Sequence, residues 1–271
     1  MNEHYLADYH IHSCWSKDAK ATMPEMAASA LEHGMNELCF TDHVDIMGNK
    51  SMEYNTFDWA SYEAMHDEVR RELGGRIVLR RGIELGDAPR DFAFAERVLR
   101  EMPPVDFIIG SIHQLSAAYE YDDMYWCAAH DEEEGRRQIA DYFTLVRKLA
   151  AWGKFNVLGH LTLPLRYMNM KNGLHMTFDG FEDEVEEVFR LLVGSGCGIE
   201  LNTTRGKMPL PEEKWLRLYR ALGGELVTLG SDAHQAQHAG LGIEEGQELL
   251  RSCGFRYFAT FEEQKPIYHK L

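Results

Sequence analysis

The chain is short of cations: 28 Lys and Arg stand against 44 Asp and Glu, a formal net charge of −16. Long nucleic acid is bound through basic side chains that displace counterions, so this balance argues against such a partner. A basic groove interleaved with aromatics, of the kind that holds single strands, is also missing. No apolar run approaches the roughly 18–20 residues that cross a bilayer, and the N-terminal MNEHYLADYH lacks a signal-peptide core. Cysteine is sparse. Cys14, Cys39, Cys127, Cys197 and Cys253 form no CxxC pair and leave an odd one, which suggests reduced thiols in a cytoplasmic protein rather than a disulfide framework. No glycine-rich loop of GxGxxG or GxxxxGK type follows the first strand candidate, which counts against a dinucleotide fold. Without repeat, low-complexity tract or linker, one domain over 1–271 is expected.

What is present is a regular alternation. With 45% hydrophobic and 11% aromatic residues, the chain can bury a sizeable core, which excludes disorder. Strands are expected at Tyr5–Ile11, Glu37–Thr41, Ile77–Leu85, Val105–Ile112, Asn156–His160, Gly198–Thr203 and Leu226–Gly230. Helical periodicity fills the gaps at Thr22–Glu32, Asp58–Leu73, Asp91–Met102, Glu133–Trp152, Phe178–Val193, Pro211–Leu222 and Glu244–Cys253. Thr22 and Glu25 form a capping box, and Gly34 stands where a helix-ending glycine does. Strands separated by helices must lie parallel, and seven such units suit a barrel better than an open sheet. Phe255–Phe261 reads as a late strand or edge segment, and the acidic runs Asp131–Glu134 and Glu182–Glu187 as solvated helix faces or helix starts.

Histidine, 13 residues in all, is concentrated. His10, His12, His43, His113, His160 and His234 sit at or just past the C-terminal ends of strand candidates, where barrel active sites lie. Asp18, Glu84 and Asp232 hold equivalent positions. In Asp8-Tyr9-His10-Ile11-His12 a period of two puts Asp8, His10 and His12 on one face and sends Tyr9 and Ile11 toward the helices. Asp8 and Asp42 are placed to accept the second N–H of a ligating imidazole. Any one of these residues alone reads as an ordinary buried polar group. Nine together at one mouth require cations, because buried carboxylates must be paired or coordinate metals. An ion takes about four to six donors, so the set points to two or three divalent ions, Zn, Mn or Fe. His4, His33, His66, His130, His175, His238 and His269 carry no such spacing.

The motifs DYHIHS (Asp8–Ser13), FTDH (Phe40–His43), GIELG (Gly82–Gly86), GSIH (Gly110–His113), LGH (Leu158–His160), IELNT (Ile199–Thr203) and GSDAH (Gly230–His234) resemble, in order, those of the PHP (polymerase and histidinol phosphatase) family. The resemblance implies a distorted (β/α)7 barrel with a trinuclear centre. One ion would take His10, His12, Glu84 and Asp232; Glu84 would bridge to a second held by His113 and His160; Asp18, His43 and His234 would hold the third. The ending GFRYFATFEEQKP (Gly254–Pro266) is similar to that of the family's histidinol-phosphate phosphatases, which implies hydrolysis of L-histidinol phosphate. Two positions depart from the pattern: Thr162 stands where an Asp is common, and Arg205 follows IELNT more closely than usual.

The chemistry expected is in-line attack on phosphorus by a hydroxide bridging the Glu84-linked ions, since paired divalent ions acidify water from about 15.7 toward neutrality. Arg166 and Arg205 are the expected phosphate clamps, with Lys207 a weaker substitute, because a guanidinium fork binds two oxygens at once. Asp232 or His234 would assist the leaving alkoxide. The loop Gln114–Trp126, with Glu120, Asp122 and Asp123, either supplies carboxylates to a cationic substrate or is simply solvated. The partner expected is a small phosphate ester. Rival expectations are a phosphoesterase acting on another ester or a short nucleotide, an amidohydrolase-type hydrolase, and a metal-stabilised binding module. The amidohydrolase type also opens on HxH but usually places a bridging Lys on a middle strand, where this chain has Glu84.

Overall fold

The structure is a computed structural model and describes residues 4–46 and 58–271. The elements run β1 (Ala7–Ile11), α1 (Met23–Glu32), β2 (Glu37–Phe40), β3 (His43–Asp45), α2 (Trp59–Leu73), β4 (Val78–Gly86), α3 (Phe92–Glu101) and β5 (Phe107–Ser111). There follow a short α4 (Met124–Cys127), α5 (Glu132–Trp152), β6 (Val157–Leu158), a short α6 (Leu163–Leu165), a π-helical turn (Arg166–Lys171), α7 (Glu182–Ser195) and β7 (Gly198–Asn202). The chain ends with α8 (Glu213–Ala221), β8 (Val227–Gly230), α9 (Ile243–Ser252), β9 (Tyr257–Glu262) and β10 (Lys265–Lys270).

The strand order is β1-β2-β4-β5-β6-β7-β8, every pair parallel. β2 pairs with Val78–Arg81 and β3 with Glu84–Gly86, so the two share one position in the sheet, interrupted at Thr41 and Asp42. The ring closes between β1 and β8: Asp232 N–H donates to the His10 carbonyl at 2.8 Å and His12 N–H to the Ala233 carbonyl at 2.9 Å. A mostly parallel sheet of seven positions, nearly closed and wrapped by helices, is the barrel expected from the alternation, in the distorted (β/α)7 form that the resemblance implied. Parallel strands covered on both sides are buried throughout, as β1, β2, β5, β7 and β8 are. Among the described residues no helix is long and apolar enough to cross a membrane.

Local chemistry sets most boundaries. The Thr22 N–H donates to Glu25 Oε2 at 2.7 Å and Thr22 Oγ1 accepts from the Glu25 N–H at 3.4 Å, starting α1 as a capping box. The two acidic runs begin helices: Asp131 Oδ1 accepts from the Glu134 N–H at 2.9 Å, and Glu182–Glu184 form the first turn of α7. Phe178 and Phe181 precede that helix in a turn, packing on Phe143 with ring centroids 4.9 and 5.6 Å away. β6 is shorter than its apolar run because His160 gives its N–H to Glu200 Oε2, at 2.8 Å, instead of to a strand.

The alternation expected along β1 needs correction. The register slips between Asp8 and Ile11, so alternation breaks there. Tyr9 does not face the helices; it packs on Phe107, which meets Phe261, and its hydroxyl donates to Glu37 Oε1 at 2.5 Å and accepts the Phe261 N–H at 2.8 Å. The late apolar stretch is one arm of an antiparallel hairpin, β9–β10, whose Phe258 and Phe261 are buried under the barrel. Its two-residue turn, Glu263-Gln264, has both φ positive, +49° and +60°. Such turns usually carry Asn-Gly, so β10 gave no sequence signal.

Tyr9→Phe should lower stability by about 1–3 kcal/mol, since it takes the partner of the buried Phe261 N–H and one of the donors to the buried Glu37 carboxylate. Urea unfolding checks this: the midpoint should fall at unchanged slope, and an unmoved midpoint would show that the floor contact is dispensable.

Candidate metal centre

The C-terminal strand ends bring all nine sequence-selected groups into one continuous cluster. Glu84, in β4, is its hub. Oε2 lies 3.1 Å from His10 Nε2, 3.5 Å from His12 Nε2 and 3.0 Å from His43 Nδ1. Oε1 lies 2.9 Å from His160 Nε2 and 3.0 Å from His113 Nε2. Asp232 Oδ1 stands 3.9 and 3.6 Å from the same nitrogens of His10 and His12. Beyond His12, Asp18 Oδ2 is 2.9 Å from His234 Nε2 and 3.6 Å from His43 Nε2.

His160 and His113 meet Glu84 Oε1 at hydrogen-bond distance, whereas the ring nitrogens around Oε2 are gathered without bonding to it. His10 Nε2, His12 Nε2, His43 Nδ1 and Glu84 Oε2 are buried and make no hydrogen bond among the described residues. Orphaned polar atoms of this kind are costly unless something occupies the space between them. Ligands about 2.0–2.2 Å from a tetrahedral ion lie about 3.3–3.6 Å apart, close to the separations here. The residues therefore fit divalent ions.

The supporting contacts differ from expectation. Asp8 touches no imidazole; its carboxylate accepts the N–H groups of Ser231 at 2.9 Å and Gly240 at 2.8 Å, tying β1 to the loop after β8. Asp42 reaches His12 only through Ser16, whose hydroxyl donates to Asp42 Oδ1 at 2.7 Å and faces His12 Nδ1 at 3.1 Å. The carboxylate that backs His10 is Glu200, on β7, with Oε1 2.7 Å from His10 Nδ1. That contact leaves His10 Nε2 as the ligand atom. Glu200 was missed although its signal was present: a carboxylate flanked by Ile199 and Leu201 in a buried strand needs a partner. Gly230 makes room for this pair, since a Cβ there would lie 2.3 Å from His10 Cβ and 2.4 Å from Glu200 Oε1. Asp232 takes a left-handed φ of +56°, strained for a residue with a Cβ.

Charge is distributed accordingly. Burial alone would lower the His10 pKa, but Glu200 and Glu84 hold it well above the usual imidazole value. Burial likewise opposes the His43 and His113 cations, and Glu84 reverses the balance for both. Burial would raise Glu84, yet His10, His113 and His43 keep it well below the carboxylate range. Burial and the neighbouring His234 and His43 lower His12. Without ions, protons take over part of the ions' electrostatic role.

At the rim, Arg166 donates through a terminal guanidinium nitrogen to Asp232 Oδ2 at 2.7 Å. Arg205 follows Thr204 in two consecutive left-handed residues, at φ +48° and +58°. Its backbone N–H meets the Ser231 carbonyl at 3.0 Å, and its buried Nε has no partner among the described residues. Burial and then the Arg166 charge lower the Arg205 pKa. Two cations share one mouth, and of the two Arg166 holds the Asp232 carboxylate. In the loop 114–126, Asp123 caps α4 through the Tyr125 N–H at 2.7 Å; burial raises its carboxyl against the opposing effect of His113.

A family model described as PHP domain matches residues 8–204. The chain belongs to the PHP family. A probable histidinol-phosphatase from Deinococcus radiodurans is 30% identical over 268 residues, covering 96% of this chain and 98% of that protein. A histidinol-phosphatase from Lactococcus lactis is 27% identical over 263 residues, 95% of each chain. The crystal structure of histidinol phosphate phosphatase from L. lactis, complexed with zinc, L-histidinol and phosphate, superposes with a TM-score of 0.80 at 25% identity, covering 97% of this chain and 98% of that one. The fold of a putative histidinol phosphatase from Listeria monocytogenes matches at a TM-score of 0.72 and 18% identity, over 88% of this PHP chain and 99% of that one.

Metal affinity of this PHP centre should fall with acid. His10, His43 and His113 hold protons above the usual imidazole range when metal-free, so an ion must displace them, at about tenfold in affinity per pH unit for each proton. Zinc titrations against a chelator at about pH 6, 7 and 8 should show tightening as pH rises; a pH-independent affinity would contradict this.

Proposed function

We propose that the chain is a metal-dependent phosphatase that hydrolyses L-histidinol phosphate to L-histidinol and phosphate. The observation that carries this reading is the group of unbonded ring nitrogens of His10, His12 and His43 around Glu84 Oε2, set beside Arg166 on Asp232 and the nearby Arg205. The L. lactis enzyme with zinc, L-histidinol and phosphate, alike over nearly its whole length, supports the choice of substrate.

In this reading His10, His12, Glu84 and Asp232 would hold one ion, Glu84 with His113 and His160 a second, and Asp18, His43 and His234 a third. Divalent ions bound there supply acidified water and positive charge for the phosphoryl oxygens. The chain does the rest. Arg166 turns from Asp232 Oδ2 to the phosphoryl group, and Arg205, with its unpartnered Nε, closes on the same group from the loop after β7. Their mutual repulsion is relieved by the dianion between them. His234 has both ring nitrogens engaged, by Asp18 Oδ2 and by the Asp232 carbonyl at 3.1 Å. Asp232 Oδ2, once Arg166 has turned away, is the atom left to take a proton from the attacking water and pass it to the departing alkoxide. Asp123, beside His113, is the carboxylate of the 114–126 loop that faces an ammonium-bearing leaving group. The working location is the cytoplasm.

Phosphate release from L-histidinol phosphate should exceed that from p-nitrophenyl phosphate or a dinucleotide, vanish after chelation and return with Zn²⁺, Mn²⁺ or Fe²⁺. A preference for the dinucleotide would assign the chain to a different phosphoesterase activity. Arg166→Gln should reduce kcat/KM about 10–100-fold, the worth of a charged hydrogen bond, with metal content unchanged. Arg205→Gln should do the same more weakly. Loss of metal in either variant would make the arginine structural.

A further inference from the structure

We infer that Asp45 is a positioning residue of the centre, holding the His113 ring so that its Nε2 faces Glu84, and that Gly86 is glycine to make room for it. Asp45 ends β3, the short strand that lies against the last turnings of β4. Its Oδ1 is buried and has no hydrogen bond among the described residues, and the nearest ring nitrogens are His113 Nδ1 at 3.4 Å and His43 Nδ1 at 3.9 Å. A buried acceptor without a donor is destabilising until a donor turns to it. An ion on His113 Nε2 supplies one, because the ring must then carry its proton on Nδ1, and a small rotation closes the contact.

Gly86 provides independent support. A Cβ at this position would stand 2.1 Å from Asp45 Oδ1 and 3.0 Å from His113 Nδ1. The strand therefore has space only for the carboxylate and the ring. From the other side Asp87 grips the backbone of the same residue, its Oδ1 accepting the N–H groups of His113 at 2.9 Å and Gln114 at 3.1 Å. His113 is thus fixed in backbone by Asp87 and in ring by Asp45.

The inference rests on the metal centre but not on the substrate. Ion content and affinity of the purified protein, measured by elemental analysis and competition with a chelator, test it apart from turnover. Wild-type protein that binds no ion would overturn the metal reading itself. Given ions in the wild type, Asp45→Ala should weaken one of them about 10–100-fold, and Gly86→Ala should reproduce that loss. Asp45→Asn keeps a carbonyl oxygen that accepts from His113 Nδ1, so it should retain near-wild-type affinity, and in cobalt-substituted protein a near-wild-type visible spectrum. Unchanged affinity in Asp45→Ala would overturn the inference. So would loss of a whole ion in Asp45→Asn as well as Asp45→Ala, because Asp45 would then be a ligand, completing a site with Asp87 and His113 Nδ1.

Discussion

Glu84 is a carboxylate with essentially no exposure, surrounded by imidazoles on both of its oxygens. A buried charge of this kind is unfavourable by several kcal/mol unless it is compensated, and removing single partners from it is worse than never having built it. The rest of the structure follows from that constraint. Five ring nitrogens from β1 and the residue after it, β3 and the loops after β5 and β6 must arrive together, which a barrel provides by converging its strand ends and an open sheet does not. Where the geometry demands it the backbone yields: at Asp232, held left-handed, and at Gly230, where the His10 and Glu200 side chains fill the space of a Cβ.

The opposite end of the barrel has a different task. Tyr9, Glu37, Arg80, Phe107 and Phe261 close the floor with a hydroxyl, an ion pair of 3.0 Å and rings packed edge-on and tilted. β1 therefore serves both ends, and the slip in its register between Asp8 and Ile11 is what allows Tyr9 and the two histidines to do so. Stability is concentrated below and chemistry above, the usual division in α/β barrels.

Much of this was legible in the residues. The seven strand positions followed from the alternation, and the nine ligand candidates from their place at strand ends, because those signals are local and periodic. What was not legible depends on three-dimensional contact. Asp8 looked like an imidazole partner by spacing, yet a register slip gave it to backbone N–H groups. Glu200 stood within a quoted motif, but only the fold shows it against His10, which is 190 positions away in sequence. The hairpin escaped because Glu-Gln fills a turn that usually carries glycine, and Asp45 because a three-residue strand has no periodicity to read.

The most direct test of the central claim is a crystal structure of the protein purified with its metals, with anomalous scattering recorded at the zinc, iron and manganese edges. The account predicts separate peaks against the two oxygens of Glu84, one toward His10 and His12 and the other toward His113 and His160. Direct hydrogen bonds between those imidazoles and Glu84, with no anomalous peak between them, would contradict it.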